Sequence, residues 1–151
     1  MIDMKIVFDT NLFIQGLIFR GDAREILNMV YRRKLQSYGS QDSYFEIRRV
    51  VNYDRFKKFL DKEIYTPDKL LVTYKSLVNM VTIPPKYRDL KVVLDDPDDD
   101  EFIRIAKAAD AKIIISNDKH LKKIKKYEDI RIVEPSIFLK IYPQISGRKI
   151  T

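Results

Sequence analysis

The stretch MKIVFDTN, residues 4–11, decides the fold. Its first half, Met4 to Phe8, is a short apolar run typical of a strand buried on both faces of a parallel sheet. Asp9 follows that strand directly. Ligands bind at the carboxyl ends of such strands, so we expect Asp9 to lie at a ligand site. Alternatively, Asp9 or Asn11 caps the next helix, which is predicted over 12–19.

Beyond this stretch, strand-like and helix-like segments alternate along the chain. Residues 81–94, which contain Pro84–Pro85, are the hardest to interpret and indicate one or two short strands. The alternation predicts one α/β domain over 1–151, a three-layer sandwich around a mostly parallel sheet of four to five strands. The other predicted strands cover 35–38, 111–115 and 130–133, and the other predicted helices cover 23–33, 41–51, 54–63, 67–80, 98–110, 118–126 and 135–141.

The charge of the chain favours a polyanionic partner. Its 29 Lys plus Arg exceed its 22 Asp plus Glu, which gives a net charge of +7. Such a surface suits RNA, DNA or an acidic protein segment, although heat-adapted proteins carry similar solvated surfaces. Acids crowd into 95–101 and bases into 119–126, so an acidic site inside a basic shell is expected.

The composition also indicates a cellular setting. The absence of Cys excludes disulfides and thiolate metal sites, and is typical of a reducing environment. No apolar run approaches the roughly 20 residues of a membrane span, and Asp9 interrupts the N-terminal apolar run before it could form a signal peptide. We therefore expect a cytoplasmic protein without membrane contact.

Glu46 occupies an unusual position on the helix predicted over 41–51. It lies roughly 40° beyond Val50, at the rim of the apolar face of that helix. A carboxylate there is half-buried, which is costly unless a positive charge pairs with it. Arg48 and Arg49 point farther round, towards water or a polyanion. The alternative is an exposed Glu–Arg pair, which contributes little.

The acidic run DDPDDDE, residues 95–101, is the densest chemical signal. Its carboxylates repel one another, so a cation is a natural neutraliser. Capping explains part of the run, because Asp98 with Glu101 forms a variant of the capping box. Helical phase places Asp99 within the apolar face of the following helix, whereas Asp100 points about 60° outside it. We therefore expect Asp99 to be functional and Asp98 to be the cap.

A fourth acid follows the strand predicted over 111–115. Asp118 comes after Ser116 and Asn117, which places it at the same sheet edge as Asp9. Ser116 either orients Asp9 or a water, or is an ordinary turn residue. Oxygen ligands from separate elements are what Mg²⁺ or Mn²⁺ requires, and one or two such ions activate water against a phosphodiester. The four expected metal ligands are Asp9, Glu46, Asp99 and Asp118.

The order of these motifs resembles the PIN domain over residues 4–140. The motifs are VFDTN at 7–11, Ser40 leading to Glu46-Ile47, DPDD at 96–99 and ISND at 115–118. The resemblance is strongest to toxin components of toxin–antitoxin systems related to VapC. It implies a PIN-like fold, a Mg²⁺- or Mn²⁺-dependent endoribonuclease that cleaves RNA as a toxin, an antitoxin protein partner and a homodimer.

The resemblance also implies roles for individual residues. The catalytic and metal-binding acids would be the four named above, with Asn11 and Ser116 as supporting polar residues. Aligning the more distant VapC branch by distance from Asp118 selects Asp100 instead of Asp99. His120 stands where the family often has an acid, and is either a phosphate contact or a surface residue. The basic side chains would contact the RNA backbone or form a solvated face; they are Arg48, Arg49, Lys119, Lys122 and Lys123.

Two other functions compete with the nuclease. A catalytically silent PIN-like module would bind RNA or a protein, but the complete set of four acids argues against it. A phospho-accepting α/β domain would need an Asp at the end of a middle strand and a positioned Lys. Residues 81–94 supply no clear candidate, and a helical Glu46 would have no role there.

Overall fold

The computed structural model describes residues 4–60, 66–93 and 96–145, in which strands and helices alternate. The strands are β1 (Met4–Phe8), β2 (Leu35–Gly39), β3 (Val78–Met80), β4 (Ile113–Ile115), β5 (Lys126–Tyr127) and β6 (Ile130–Val133). The helices are α1 (Thr10–Ile18), α2 (Asp22–Tyr31), α3 (Gln41–Val50), α4 (Asp54–Lys57), α5 (Pro67–Leu77), α6 (Pro85–Arg88), α7 (Asp100–Ala109), α8 (Lys119–Ile124) and α9 (Pro135–Ile145). A 3₁₀ turn, Pro97–Asp99, precedes α7.

The strands form one sheet in the order β3-β2-β1-β4-β6-β5. β1 lies inside the sheet and pairs in parallel with β2 and with β4, and only β5 runs antiparallel to its neighbour. The mostly parallel sheet is therefore confirmed. It has six strands in the described part of the chain, more than the four to five expected, because β3 and β5 are too short to leave a readable pattern.

Helices cover both faces of the sheet, as the alternation predicted. Alternate residues of β1 point to opposite faces: Ile6 packs into one apolar cluster and Val7 into the other. The first cluster draws its buried side chains from α1, α2, α3, α4, α5 and α9. The second draws them from α7 and α8. The three-layer sandwich is thus confirmed, and the paired strands β1 and β4 both contribute buried side chains to the two clusters.

Several element boundaries differ from the predicted ones. α1 begins at Thr10 because Asp9 caps it, and α5 ends at Leu77, so that residues 78–80 form β3 rather than helix. α4 ends at Lys57, and residues 61–63 of that predicted helix lie outside the described residues. The strands expected over 81–94 were wrong for the described residues 81–93, where α6 forms instead. No helix of the described ranges is long and apolar enough to cross a membrane.

Gly39, the last residue of β2, gives a test of the packing beneath the site. A Cβ built there would collide with the Tyr74 hydroxyl and would lie 2.8 Å from Val78 Cγ1. Tyr74 has little freedom to move, because its hydroxyl lies 2.7 Å from Ser43 Oγ in α3. We expect Gly39→Ala to lower the free energy of unfolding by about 1–3 kcal/mol, measured by urea denaturation. An unchanged urea midpoint would contradict this packing.

Candidate functional site

The carboxyl ends of β1 and β4 bring two polar residues together. Phe8 and Ile115 are register partners, so the residues that follow them, Asp9 and Ser116, face each other. The Asp9 backbone N–H donates to the Ile115 carbonyl at 3.1 Å. Ser116 Oγ donates a short hydrogen bond to Asp9 Oδ2. Of the roles considered for Ser116, the structure therefore supports the one in which it orients Asp9.

Asp9 is both a helix cap and a residue of this sheet edge, so its two predicted roles coexist. Its Oδ1 accepts the backbone N–H of Leu12 at 2.8 Å, at the start of α1. The side chain is only 5% exposed. Burial raises the pKa of Asp9 above its usual value, as does the charge of Asp118, while the hydrogen bonds from Ser116 and Leu12 oppose the rise.

Asp118 lies at the same edge and caps α8. Its Oδ1 accepts the backbone N–H groups of His120 at 2.8 Å and Leu121 at 3.2 Å. Its own N–H donates to Ser116 Oγ at 2.9 Å. Ser116 thus links the two strand-end acids, donating to one and accepting from the other.

Asp99 approaches from the turn before α7. Carboxylate oxygens of Asp96, Asp99 and Asp118 all lie within 4.8 Å of one another. Asp99 is 8% exposed, and its Oδ2 has no hydrogen-bond partner among the described residues. Burial first, and then the charges of Asp118 and Asp96, raise the pKa of Asp99 to about 9.

Asp96 is the residue of this group that the sequence reasoning missed. It begins the 3₁₀ turn, and its Oδ1 accepts the Asp98 N–H at 3.3 Å. The available signal was the Pro97 that follows, since proline is favoured in a first helical turn. A 3₁₀ turn has three residues per turn, which brings Asp96 and Asp99 to the same side.

Glu46 lies on α3, whose start is capped by Ser40, and lines a cleft with Asp98. The side chain is half-buried, as its rim position predicted. Burial raises the pKa of Glu46 to about 7; Arg49 lowers it, and the charges of Asp9, Asp98 and Asp96 raise it further. The charges of Asp9 and Asp96 thus act on Glu46, whereas the carboxylate oxygens found within 4.8 Å of one another in the described chain belong to Asp96, Asp99 and Asp118.

Asp100 contacts the backbone of the segment before the acidic run. It is 2% exposed, and its Oδ1 accepts the backbone N–H groups of Val92 and Val93, each at 2.7 Å. These bonds anchor the segment before the acidic run to α7. Asp100 therefore has a structural contact, whereas Asp99 lies beside Asp118.

A cleft of about 270 Å³ lies beside Asp9 and Asp118. Asn11 and Arg55 line it, and Asn11 Oδ1 accepts a hydrogen bond from Arg55 Nη2 at 2.7 Å. Asn11, which was predicted to be a supporting residue, thus holds the Arg55 guanidinium at the wall of this cleft. Sequence reasoning missed Arg55, because the 44 residues between these two side chains leave no local signal.

The predicted basic contacts are distributed unevenly around the site. Arg49 lines a second cleft of about 300 Å³, together with Glu46 and Asp98. Lys122 Nζ lies 2.6 Å from Glu134 Oε1, so that cation is paired within the protein. Arg48, Lys119 and Lys123 are exposed. Among the basic residues predicted to contact RNA, Arg49 thus lines a cleft together with Glu46, one of the four predicted metal ligands.

The donors of this site fit a hard divalent cation. They are all oxygens, they come from separate elements, and the buried Asp99 Oδ2 lacks a donor. Burial and the charges of neighbouring carboxylates raise the pKa of both Asp99 and Glu46, and a positive charge would oppose this rise. Mg²⁺ or Mn²⁺ would supply that charge in the coordination these ions prefer.

Asp99 and Asp100 should differ in their effects on stability. The pKa of Asp99 rises from 3.8 to about 9 on folding, so the folded chain binds more protons and loses stability as pH increases across that interval. At pH 8 in EDTA we expect Asp99→Asn to raise the melting temperature by about 2–4 °C for each kcal/mol gained.

Asp100→Asn is the matched variant. It weakens two charge-assisted hydrogen bonds and buries an amide, so we expect a loss of about 1–2 kcal/mol in the same thermal unfolding experiment. If Asp99→Asn and Asp100→Asn shifted the melting temperature in the same direction, the two side chains would not lie in the different environments described.

Three comparisons relate the chain to known proteins. A family profile described as PIN domain matches residues 5–120. The uncharacterized protein MJ1680 of Methanocaldococcus jannaschii is 31% identical over 121 residues, covering 80% of this chain and 74% of the relative. The crystal structure of VapBC2 from Rickettsia felis bound to a promoter DNA fragment matches with a TM-score of 0.57 and 13% identity, over 85% of this chain and 97% of that one. At that identity the likeness shows the fold.

Proposed function

The chain belongs to the PIN-domain family, and from this premise we propose that it is a Mg²⁺- or Mn²⁺-dependent endoribonuclease that hydrolyses RNA phosphodiesters. The observation that carries the proposal is the buried Asp99 carboxylate, which offers an oxygen within 4.8 Å of carboxylate oxygens of Asp118 and Asp96 and whose Oδ2 has no hydrogen-bond partner among the described residues. An unpaired buried carboxylate oxygen is costly and is retained most readily where a cation binds.

We assign the metal to Asp9, Glu46, Asp99 and Asp118. When bound, such an ion lowers the pKa of a water molecule and neutralises charge on a phosphodiester. The protein keeps two of these carboxylates in place by itself: Ser116 and the start of α1 hold Asp9, and the start of α8 holds Asp118. Such support reduces the reorganisation that the reaction requires.

The basic groups beside the acids suit an RNA backbone. Arg55 lines the cleft that contains Asp9 and Asp118, and Arg49 lines the one that contains Glu46. Each cleft thus combines a proposed metal ligand with a guanidinium group, which is suited to phosphate. The net charge of +7 would favour the approach of such a strand.

We further propose that the enzyme is the toxin of a toxin–antitoxin pair and forms a homodimer. The support is the resemblance of its motifs to VapC-like toxins and the fold that it shares with VapBC2. An antitoxin protein would be the partner. Co-expression with the product of the neighbouring reading frame, followed by size-exclusion chromatography, tests both assemblies.

Asp9→Asn should abolish RNA cleavage while the fold is kept. Asn retains the oxygen that accepts the Leu12 N–H but removes the charge, so we expect at least a ~100-fold lower rate with Mn²⁺ on a fluorescent RNA. EDTA should do the same to the wild type. Asp110→Asn, which removes an exposed charge at the end of α7, is the control. Equal rates for Asp9→Asn and the wild type would refute the nuclease and favour the silent binding module.

Arg55→Ala should weaken RNA binding in the Asp9→Asn background, where the RNA stays intact. The loss of one phosphate contact should reduce the slope of log K against log salt by about 0.7 for a single strand, measured by fluorescence anisotropy. Arg32→Ala, at the end of α2 and remote from the carboxyl edge, should leave the slope unchanged. If the two variants behave alike, Arg55 is not a contact.

A further inference from the structure

We propose that Asp96 is an additional ligand of the divalent cation, so that Asp96, Asp99 and Asp118 form the main face on which the ion binds. This inference rests on the proposed function, because it needs a cation at the acidic site. It goes beyond the four acids that the PIN-domain pattern supplies.

The backbone before α7 brings two acids of the run to one side. Residues 97–99 form a 3₁₀ turn with Asp96 as its cap and Pro97 in its first position. Side chains three residues apart eclipse in such a turn, so Asp96 and Asp99 lie above one another. Asp118 completes the group from another strand end, and the three acids offer oxygens within 4.8 Å of one another. Rotation of side chains is enough to bring such oxygens onto one ion.

The unpaired oxygen of Asp99 is the independent sign of a ligand. Asp99 is 8% exposed, and Oδ2 has no hydrogen-bond partner among the described residues. Buried polar atoms are almost always satisfied, so an unpaired carboxylate oxygen on one of three clustered acids points to a cation as its partner.

The other acids differ in how many of their carboxylate oxygens already accept hydrogen bonds. Both carboxylate oxygens of Asp9 already accept hydrogen bonds, from Leu12 and Ser116. Asp118 uses Oδ1 for the start of α8, which leaves Oδ2. Asp96 accepts only a long bond of 3.3 Å from the Asp98 N–H among the hydrogen bonds found in the described chain. The Asp96 carboxylate therefore has more oxygen lone pairs available to bind an ion than the Asp9 carboxylate does.

The rest of the acidic run provides the contrast. Asp98 is exposed and Asp100 accepts from the backbone of the 92–93 segment. Of the five acids at 96–101, Asp96 and Asp99 are therefore the two that group with Asp118. Asp98 is close enough to influence Glu46, and so offers a charge-matched control for Asp96.

Binding of Mn²⁺ alone tests the inference, with free Mn²⁺ measured by electron paramagnetic resonance. Asn at position 96 keeps an oxygen for the Asp98 N–H but loses the charge. We expect Asp96→Asn to raise the dissociation constant about 10-fold or more, because affinity follows the number of charged ligands. Asp98→Asn removes the same charge two residues away and should change it less than about 3-fold. Equal effects of these two variants would overturn the proposal.

The proposed function and this inference fail differently. A wild type that binds no Mn²⁺ at millimolar concentration contradicts the metal-dependent nuclease itself. If the wild type and Asp96→Asn bind Mn²⁺ with the same dissociation constant, only the role of Asp96 is contradicted. Circular dichroism in EDTA checks the fold of each variant. If Asp96→Asn is unfolded, Asp96→Ser, whose hydroxyl can accept the same N–H, replaces it under the same criterion.

Discussion

The parallel pairing of β1 with β4 is the constraint on which the site depends. It aligns Phe8 with Ile115, and so brings Asp9 against Ser116 across 107 residues of chain. The Ser116 hydroxyl then accepts the Asp118 N–H, so one hydroxyl group positions both strand-end acids. A shift of the register by one residue would reverse the faces of β4 and separate this pair. The buried Ile6, Val7 and Ile114 oppose such a shift, since their burial holds the strands in place.

The two helices that supply the remaining acids are tied to each other as well. Ser40, which caps α3, donates to Glu101 Oε2 of α7 at 2.5 Å, and Ser43 lies against the Tyr74 hydroxyl of α5. Glu46 follows on α3, and Asp99 immediately precedes α7. The buried Ser40–Glu101 bond therefore couples their positions. Burial and neighbouring carboxylate charges raise the pKa of both Glu46 and Asp99, and a bound cation would offset that repulsion.

Much of the fold could be predicted from the sequence, because long apolar periodicities survive in the tertiary structure. The apolar run of β1 and the amphipathic pattern of α3 are examples, and the half-buried rim position of Glu46 followed from helical phase. β3 was missed because the apolar pattern of α5 continues into it, and its pairing with β2 is a tertiary contact. The 81–93 segment was missed because the Asp100 carboxylate, not a strand partner, holds the backbone of Val92 and Val93.

The sequence by itself determined that Asp9 and Asp118 follow strands, because the apolar runs before them are local signals. Asp99 is buried, as predicted, although it lies in a 3₁₀ turn and not in the α-helix whose phase was used. The tertiary structure alone decided the direction of Asp96, the backbone contacts of Asp100 and the placement of Arg55 beside Asn11. The physical reason is that a 3₁₀ turn replaces the 3.6-residue period in the acidic run, so helical phase does not apply before Asp100. Contacts such as Arg55–Asn11 arise only when distant elements pack together.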